Sequence, residues 1–174
     1  MELDWAAFLG PPDPARPWTL VANLPYNIAT PLVLDLLEAV PAIDRLVVLV
    51  QLEVGERLAA GPGTKAYGIP SVKRAWWADA KIVAKVAASV FIPAPRVESA
   101  LVDLWRHPPA GSEAERAVVF DLIETGFNQR RKMLRRSLAA KAGPGDLEAA
   151  QIRPEARAEE LTLPDWQRLA AVLG

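Results

Sequence analysis

The chain has 174 residues, 51% of them hydrophobic and 24% charged, enough apolar material for one globular domain or two small ones and too much for a disordered tail. Twenty Lys and Arg against 21 Asp and Glu leave a formal charge of -1, so overall charge predicts neither a nucleic-acid nor a membrane partner. Without cysteine there is no disulfide framework, thiolate metal site or cysteine nucleophile. The single histidine, His107, leaves no His-pair zinc site and little basis for a Ser-His-Asp triad, so no metal is expected.

The start, MELDWAAFLG, is acidic and lacks a basic n-region followed by an apolar run, so no leader is expected. The longest strongly apolar stretch, Leu46 to Val50, is far too short to span a bilayer. The expectation is a cytoplasmic, monomeric protein.

Taken in chain order, Trp18 to Ala22 form a short apolar run entered from a Pro-rich loop and read as a buried strand. After Asn23-Leu24-Pro25-Tyr26, Thr30 and Pro31 offer an N-cap and a first helical residue. Leu32, Val33, Leu36, Leu37 and Val40 then recur at helical spacing until Pro41. Asp44 to Gln51 is a near-continuous β-branched run, a strand covered on both faces. Strand, helix, strand is the grammar of a parallel α/β sheet. A helix from Glu53 to Ala60 is closed by Gly61-Pro62-Gly63, and another is expected over Ser71 to Ala78. Lys81 to Val86 and Ser99 to Trp105, joined by a Pro-rich loop, read as an antiparallel pair at the end of the sheet.

Beyond His107-Pro-Pro-Ala-Gly111 the period is helical: Glu113 to Thr125, Gln129 to Lys141, a piece near Asp146 to Gln151, and Pro164 to Leu173. Thr162 and Asp165 have capping-box spacing. The spacing divides the chain into residues 1–108, an α/β portion, and 109–174, a small all-helical domain.

Asn23-Leu24-Pro25-Tyr26 lies where an α/β fold places its ligand, just past the C-terminal end of a parallel strand. The exocyclic amine of a base is a poor nucleophile because its lone pair is delocalised into the ring. The Asn23 side-chain oxygen and the Leu24 carbonyl could each accept one of its N–H groups and favour a pyramidal nitrogen. Pro25 has no competing N–H, and Tyr26 offers a flat face for a flipped base. The plainer reading is a strand-to-helix turn whose Tyr packs, and four residues alone leave both open.

A second informative run is Arg130, Arg131, Lys132, Arg135 and Arg136, with no acid from Gly126 to Lys141. On a helix these cations spread round much of the circumference, which favours phosphate contact over a solvated face. Lys65, Lys73, Arg74, Lys81, Lys85 and Arg96 are weaker candidates for the same surface. His107, Asp35, Glu38 and Glu53 read as surface, structural or capping residues.

The text Asn23 to Pro31, then Phe91-Ile-Pro-Ala-Pro-Arg-Val-Glu-Ser-Ala100, then Gly126-Phe-Asn-Gln-Arg-Arg-Lys-Met-Leu134, resembles the ribosomal RNA adenine N6,N6-dimethyltransferases. The motifs stand in the same order over nearly the whole chain, and Gln129 to Lys132 with Arg157-Ala-Glu-Glu-Leu161 favour the small-subunit branch of that family. The resemblance implies the C-terminal portion of a Rossmann-like methyltransferase sheet followed by a helical rRNA-binding domain. It also implies S-adenosylmethionine as methyl donor, direct transfer to adenine N6 twice per base, and small-subunit rRNA or its 30S precursor as partner. By the same resemblance Asn23, Leu24, Pro25 and Tyr26 are the catalytic set and Asn23 also faces the cofactor. Phe91 is a second aromatic wall, and Arg130, Arg131, Lys132, Arg135 and Arg136 bind the RNA.

Two departures are Ala22, where Gly commonly precedes the Asn, and Pro70, where a larger apolar residue is usual. No strand opens with a Gly-rich turn, and three strand–helix units, roughly 90 residues, that would carry most donor contacts have no counterpart here. Asp4 and Trp5 lie near the expected place of the donor's adenine without a motif tight enough to assign them. A fragment of the enzyme is therefore expected. The alternatives are a non-catalytic rRNA-binding or assembly module, which would leave strand 18–22 an exposed apolar sheet edge, and the large-subunit rRNA adenine methyltransferase that confers macrolide resistance.

Overall fold

The computed structural model describes residues 4–13 and 15–174; Met1 to Leu3, which open the stretch read above for a leader, and Pro14 of the Pro-rich loop lie outside the described residues. The chain separates into two compact units: residues 1–59 with 77–108, and residues 60–76 with 109–174.

The first unit is a four-stranded sheet with helices. A short helix α1 (Trp5–Leu9) precedes β1 (Trp18–Asn23), α2 (Ala29–Ala39), β2 (Ile43–Gln51) and α3 (Leu52–Ala59). After the excursion of 60–76 the chain returns as β3 (Ala78–Val86) and β4 (Ser99–Arg106). The order across the sheet is β1-β2-β4-β3, with β1 parallel to β2 and β4 antiparallel to both its neighbours. The strand–helix–strand reading and the antiparallel terminal pair therefore stand, with β4 inserted beside β2. The expected buried first strand does not: β1 is an edge, and Val21 and Trp18 are 75% and 49% exposed.

Leu46, Val48 and Val50 of β2, with Ala100, Val102 and Leu104 of β4, make the buried face. Alternation of the pleat sends this set one way, towards the apolar stripe Val33, Leu36 and Leu37 of α2. Gly55 lets α3 lie directly on the sheet, since a Cβ there would meet that of Ala100 at 2.8 Å. Arg106, at the end of β4, donates to four carbonyls at and just beyond the end of α2: those of Leu36, Leu37, Val40 and Ile43, at 2.7 to 3.3 Å. The Leu36 and Val40 oxygens also accept from the N–H groups of Val40 and Ile43, whereas Pro41 has no N–H to offer the Leu37 carbonyl, the helix-end acceptor that Arg106 serves.

α2 starts a residue before the Thr30 cap expected. Ile28 occupies the cap position without a side-chain bond, because its N–H bonds the Pro25 carbonyl and the turn begins in the loop itself. Pro31 remains in the first turn, where its missing N–H costs nothing.

The second unit holds α4 (Ile69–Arg74), α5 (Glu113–Asn128), α6 (Leu134–Ser137), α7 (Pro144–Ala149) and α8 (Leu163–Leu173). The linear division placed 60–76 with the sheet. It packs instead with the later helices, where the Tyr67 hydroxyl donates to the Leu161 carbonyl at 2.7 Å and Tyr67 stacks edge-on to Phe127. The helix expected over 71–78 is the shorter α4, because Trp76 N–H folds back to the Lys73 carbonyl and β3 already begins at Ala78. Val119, Leu122, Ile123 and Phe127 of α5 and Leu163, Trp166 and Leu169 of α8 form the core. Thr162 and Asp165 make the expected capping box.

The expected helix over 129–141 is corrected most. Gln129 to Lys132 form a turn, and only Leu134–Ser137 are helical. The backbone is held by another partner: Met133 bridges Arg157, and Leu134 N–H donates to the Ala156 carbonyl at 2.8 Å. Burying Leu134 and Leu138 completely sets this register.

Candidate nucleic-acid interface

In the sheet unit, β1 ends at Asn23, and Leu24 N–H extends the ladder to the Leu49 carbonyl at 3.0 Å. That bond fixes the backbone of buried Leu24 at the strand end. Among the described residues nothing hydrogen-bonds the Asn23 side chain or the Leu24 carbonyl, which leaves both acceptors available. Tyr26 is anchored by its hydroxyl to Ser99 Oγ at 3.0 Å, and Ser99 is fully buried at the start of β4. The Pro-rich loop leaves β3 through a 3-10 turn (Ala88–Val90) and brings Phe91, Ile92, Pro93 and Pro95 to the same place. Together with Asn23 to Tyr26 they line an open cavity of about 470 Å³. Two aromatic side chains, two unengaged oxygens and a proline without a donor thus meet at one strand end. That is the equipment for stacking a flat ring and accepting from an amine on its edge.

The helical unit gathers the cations. Arg131, Lys132 and Arg136 are exposed and, among the described residues, without an ion pair. Arg130 is half-buried and bonded to Glu159 at 2.7 Å, and Arg135 lies 3.7 Å from Glu155. The turn from Phe127 to Lys132 lines a cavity of about 580 Å³. Of the weaker cations, Lys73 pairs with Glu124, Arg74 is buried, Lys81 lies over the Trp105 ring, and Lys85 is 3.9 Å from Glu56. Lys65 and Arg96 remain exposed.

Elsewhere the bland readings describe what is seen. His107 Nδ1 contacts the Pro108 carbonyl, and Asp4 caps α1 by accepting from Ala7 N–H at 3.0 Å. Asp35, Glu38 and Glu53 are exposed on helices. Sequence reasoning missed Ser99 and Glu159. A buried strand serine and one acid of Glu159-Glu160 carry no periodic signal; their partners lie 73 and 29 residues away.

Comparison with known proteins identifies the family. Residues 11–173 match the family model described as ribosomal RNA adenine dimethylase. The chain is 50% identical over 162 residues to ribosomal RNA small subunit methyltransferase A of Acidothermus cellulolyticus, covering 90% of this chain and 56% of the relative. It is also 50% identical over 165 residues to the protein of that name from Leifsonia xyli, covering 91% and 59%. The chain thus spans a little over half the length of the curated relatives it matches.

Among solved structures, the 23S rRNA methyltransferase ErmE superposes with a TM-score of 0.68 at 25% identity, covering 95% of this chain and 69% of that one. A dimethyladenosine transferase from Plasmodium falciparum gives 0.72 at 22% identity, covering 87% and 64%, and speaks for the fold alone. The sheet is thus the C-terminal portion of a Rossmann-like methyltransferase sheet, and the chain belongs to the ribosomal RNA adenine dimethylase family.

Proposed function

We propose that this chain is the base-holding and RNA-holding portion of an S-adenosylmethionine-dependent methyltransferase. It dimethylates N6 of adjacent adenines near the 3′ end of small-subunit rRNA, acting as a monomer in the cytoplasm on the 30S precursor. The observation that carries the reading is the pair of unengaged acceptors, Asn23 and the Leu24 carbonyl, opening on a cavity walled by Tyr26 and Phe91.

The chain's own part in the chemistry follows from those groups. Tyr26 and Phe91 stack the target adenine, each worth about 1–3 kcal/mol if the flipped base behaves like other stacked bases. The Asn23 side-chain oxygen and Leu24 carbonyl accept the two amine hydrogens, which turns the nitrogen lone pair out of the ring plane. Pro25 keeps the loop stiff and offers no donor that would compete. Ser99 holds the Tyr26 ring at its hydroxyl end. The donor supplies an activated methyl group when bound. The residues present form no cradle for it: no Gly-rich turn follows a strand, and Asn23 is the one side chain assigned towards it.

In the second unit, Arg131, Lys132 and Arg136 contact phosphates. Relatives at 50% identity carry the small-subunit name, which favours that branch. Among the described residues no helix is long and apolar enough to cross a membrane.

The test joins this chain to the N-terminal segment of the Acidothermus cellulolyticus relative and measures methyl transfer to small-subunit precursor particles. Asn23→Ala should abolish transfer while leaving RNA affinity intact, and Phe91→Ala should lower turnover more than stability. Retained methylation by Asn23→Ala would sink the reading. RNA binding by the chimera with no transfer at all would favour the non-catalytic assembly module, and methylation of large-subunit rRNA alone would favour the macrolide-resistance enzyme.

A further inference from the structure

The basic run of the helical unit contains cations of two kinds. After α5 the chain turns sharply, with Arg130 N–H bonding the Phe127 carbonyl at 3.1 Å and Lys132 N–H the Gln129 carbonyl at 2.7 Å. Arg130 then reaches inward. Its Nε donates to Glu159 Oε2 at 2.7 Å and its Nη2 to the Lys65 carbonyl at 2.8 Å. Glu159 is itself part of this joint, since its backbone carbonyl accepts from Gly63 N–H at 2.8 Å. One guanidinium therefore ties together the 61–67 loop, the basic turn and the 3-10 turn Ala158–Glu160. Arg131 and Lys132, its neighbours along the same cavity, are exposed and lack such partners among the described residues.

We propose that Arg130 is a positioning residue and not a phosphate contact: it bolts the basic turn in place so that Arg131, Lys132 and Arg136 meet the RNA backbone. This rests on the reading of the helical unit as an RNA-binding surface. The physical argument is one of charge and geometry. A guanidinium whose fork is shared between a carboxylate and a carbonyl has little net positive charge left for a phosphate. Turning it outward would leave Glu159 unpaired beside an incoming anion, so the exchange is repulsive as well as costly in hydrogen bonds. Held inward, it fixes the backbone before RNA arrives, so the turn loses less freedom on binding.

Counterion release separates the two roles. A phosphate contact contributes about 0.7 to 0.9 to the slope of log affinity against log salt, whereas a positioning residue contributes nothing to it. The experiment measures binding of a fluorescein-labelled RNA hairpin, its loop containing two adjacent adenines, to the 174-residue chain across a salt series. Arg131→Ala, Lys132→Ala and Arg136→Ala should each flatten the slope by about that amount. Arg130→Gln should weaken binding about fivefold at every salt concentration with the slope unchanged, on the scale of the loop-ordering costs met in association. Glu159→Gln should reproduce that loss, and the double variant should be no worse than either single one. Amide exchange of Gly63 and Lys132 should speed up in Arg130→Gln without RNA present, a readout independent of binding.

A slope lowered by Arg130→Gln as much as by Lys132→Ala would overturn the proposal. So would tighter binding and a steeper slope in Glu159→Gln, which would mean that Glu159 competes with phosphate for Arg130. Unchanged slopes in all three variants at Arg131, Lys132 and Arg136 would overturn the RNA reading of this surface, and the proposal with it.

Discussion

In the sheet unit, polar side chains hold regular elements to one another. Arg106 closes the end of α2, Asp103 takes both ends of the Arg45 fork at 2.8 and 2.7 Å, and Ser99 ties β4 to Tyr26. In the helical unit Lys73–Glu124 and Gln167–Glu115 also join helices, but other bonds hold loops: Tyr67 to Leu161, Arg130 to Lys65 and Glu159. The base site thus inherits its rigidity from a strand end already in a hydrogen-bond ladder, whereas the basic turn leans on one isolated bridge, Met133 to Arg157, and adds its own brace. A site that must orient one amine to within a fraction of an ångström suits the first arrangement. A site that tracks a phosphate backbone tolerates the second.

Arg106 gives the largest expected effect and the sharpest way to break that contrast. Burial lowers the pKa of its guanidinium, partly offset by the nearby charge of Asp44, yet it stays charged and makes four hydrogen bonds to backbone carbonyls. Arg106→Met keeps the stem and withdraws a donor from four carbonyls, of which Leu36 and Val40 keep a backbone N–H partner, so it should cost about 3 kcal/mol. Urea unfolding measures this; a loss below about 1 kcal/mol would show that water satisfies the helix end as well as Arg106 does.

The helical unit's counterpart is a steric joint. A Cβ on Gly126 would lie 2.6 Å from Trp166 Cη2, so Gly126→Ala should destabilise by about 2 kcal/mol through overpacking. The Trp166 indole N–H is buried without a hydrogen-bond partner among the described residues, so shortening that ring removes an unsatisfied donor as well as a clash. Trp166→Phe should therefore recover about 1 kcal/mol or more of the Gly126→Ala loss, a coupling read from a double-mutant cycle by thermal unfolding. Simple additivity would refute the account.

How much of this was legible in the sequence differs between the units for the same reason. Strands β2 and β4 and helices α5 and α8 follow local pattern, and pattern placed them within a few residues. The position of 60–76 and the turn at 129–132 are decided by partners far along the chain: Tyr67 finds Leu161 and Arg130 finds Glu159, and neither pairing has a period. At the candidate site, Asn23 to Tyr26 stand out as a motif after a strand, whereas Phe91 enters only through the family resemblance. A lone aromatic opening a Pro-rich loop reads more readily as a core plug, and its place on the cavity depends on the loop's path in space. The basic run was visible only as charge, so its division into braced and free cations was not.

Titration gives the smallest effect, and acid does not separate the units. The hydrogen bond from Arg45 holds the Asp103 carboxyl below its usual range against the opposing pull of burial. In the helical unit burial raises the pKa of Asp165, but the bonds from Thr162 and Arg168 outweigh it and the net direction is again down. A carboxyl depressed in the folded state stabilises above its unfolded pKa of about 4 and loses that contribution as pH falls through its folded pKa, so both units weaken below about pH 4. Alkali distinguishes them. Desolvation pushes the Tyr67 hydroxyl up to about 12, with the charge of Arg74 opposing it and that of Asp165 adding to it. The folded state therefore prefers the neutral phenol, and its stabilisation is intact below the unfolded pKa of about 10 and declines as pH rises from there towards 12. The chain has two tyrosines, one in each unit, so Tyr26→Phe leaves Tyr67 as the one tyrosinate signal. Its ultraviolet titration should be displaced towards 12 and should coincide with loss of helical structure. Tyr67→Phe should remove that alkaline slope and cost about 1 kcal/mol at neutral pH for the orphaned Leu161 carbonyl. A midpoint near 10 in the folded chain would mean that the 60–76 segment opens before its tyrosine ionises, and the brace between loops would be weaker than the strand-end anchoring of the sheet unit.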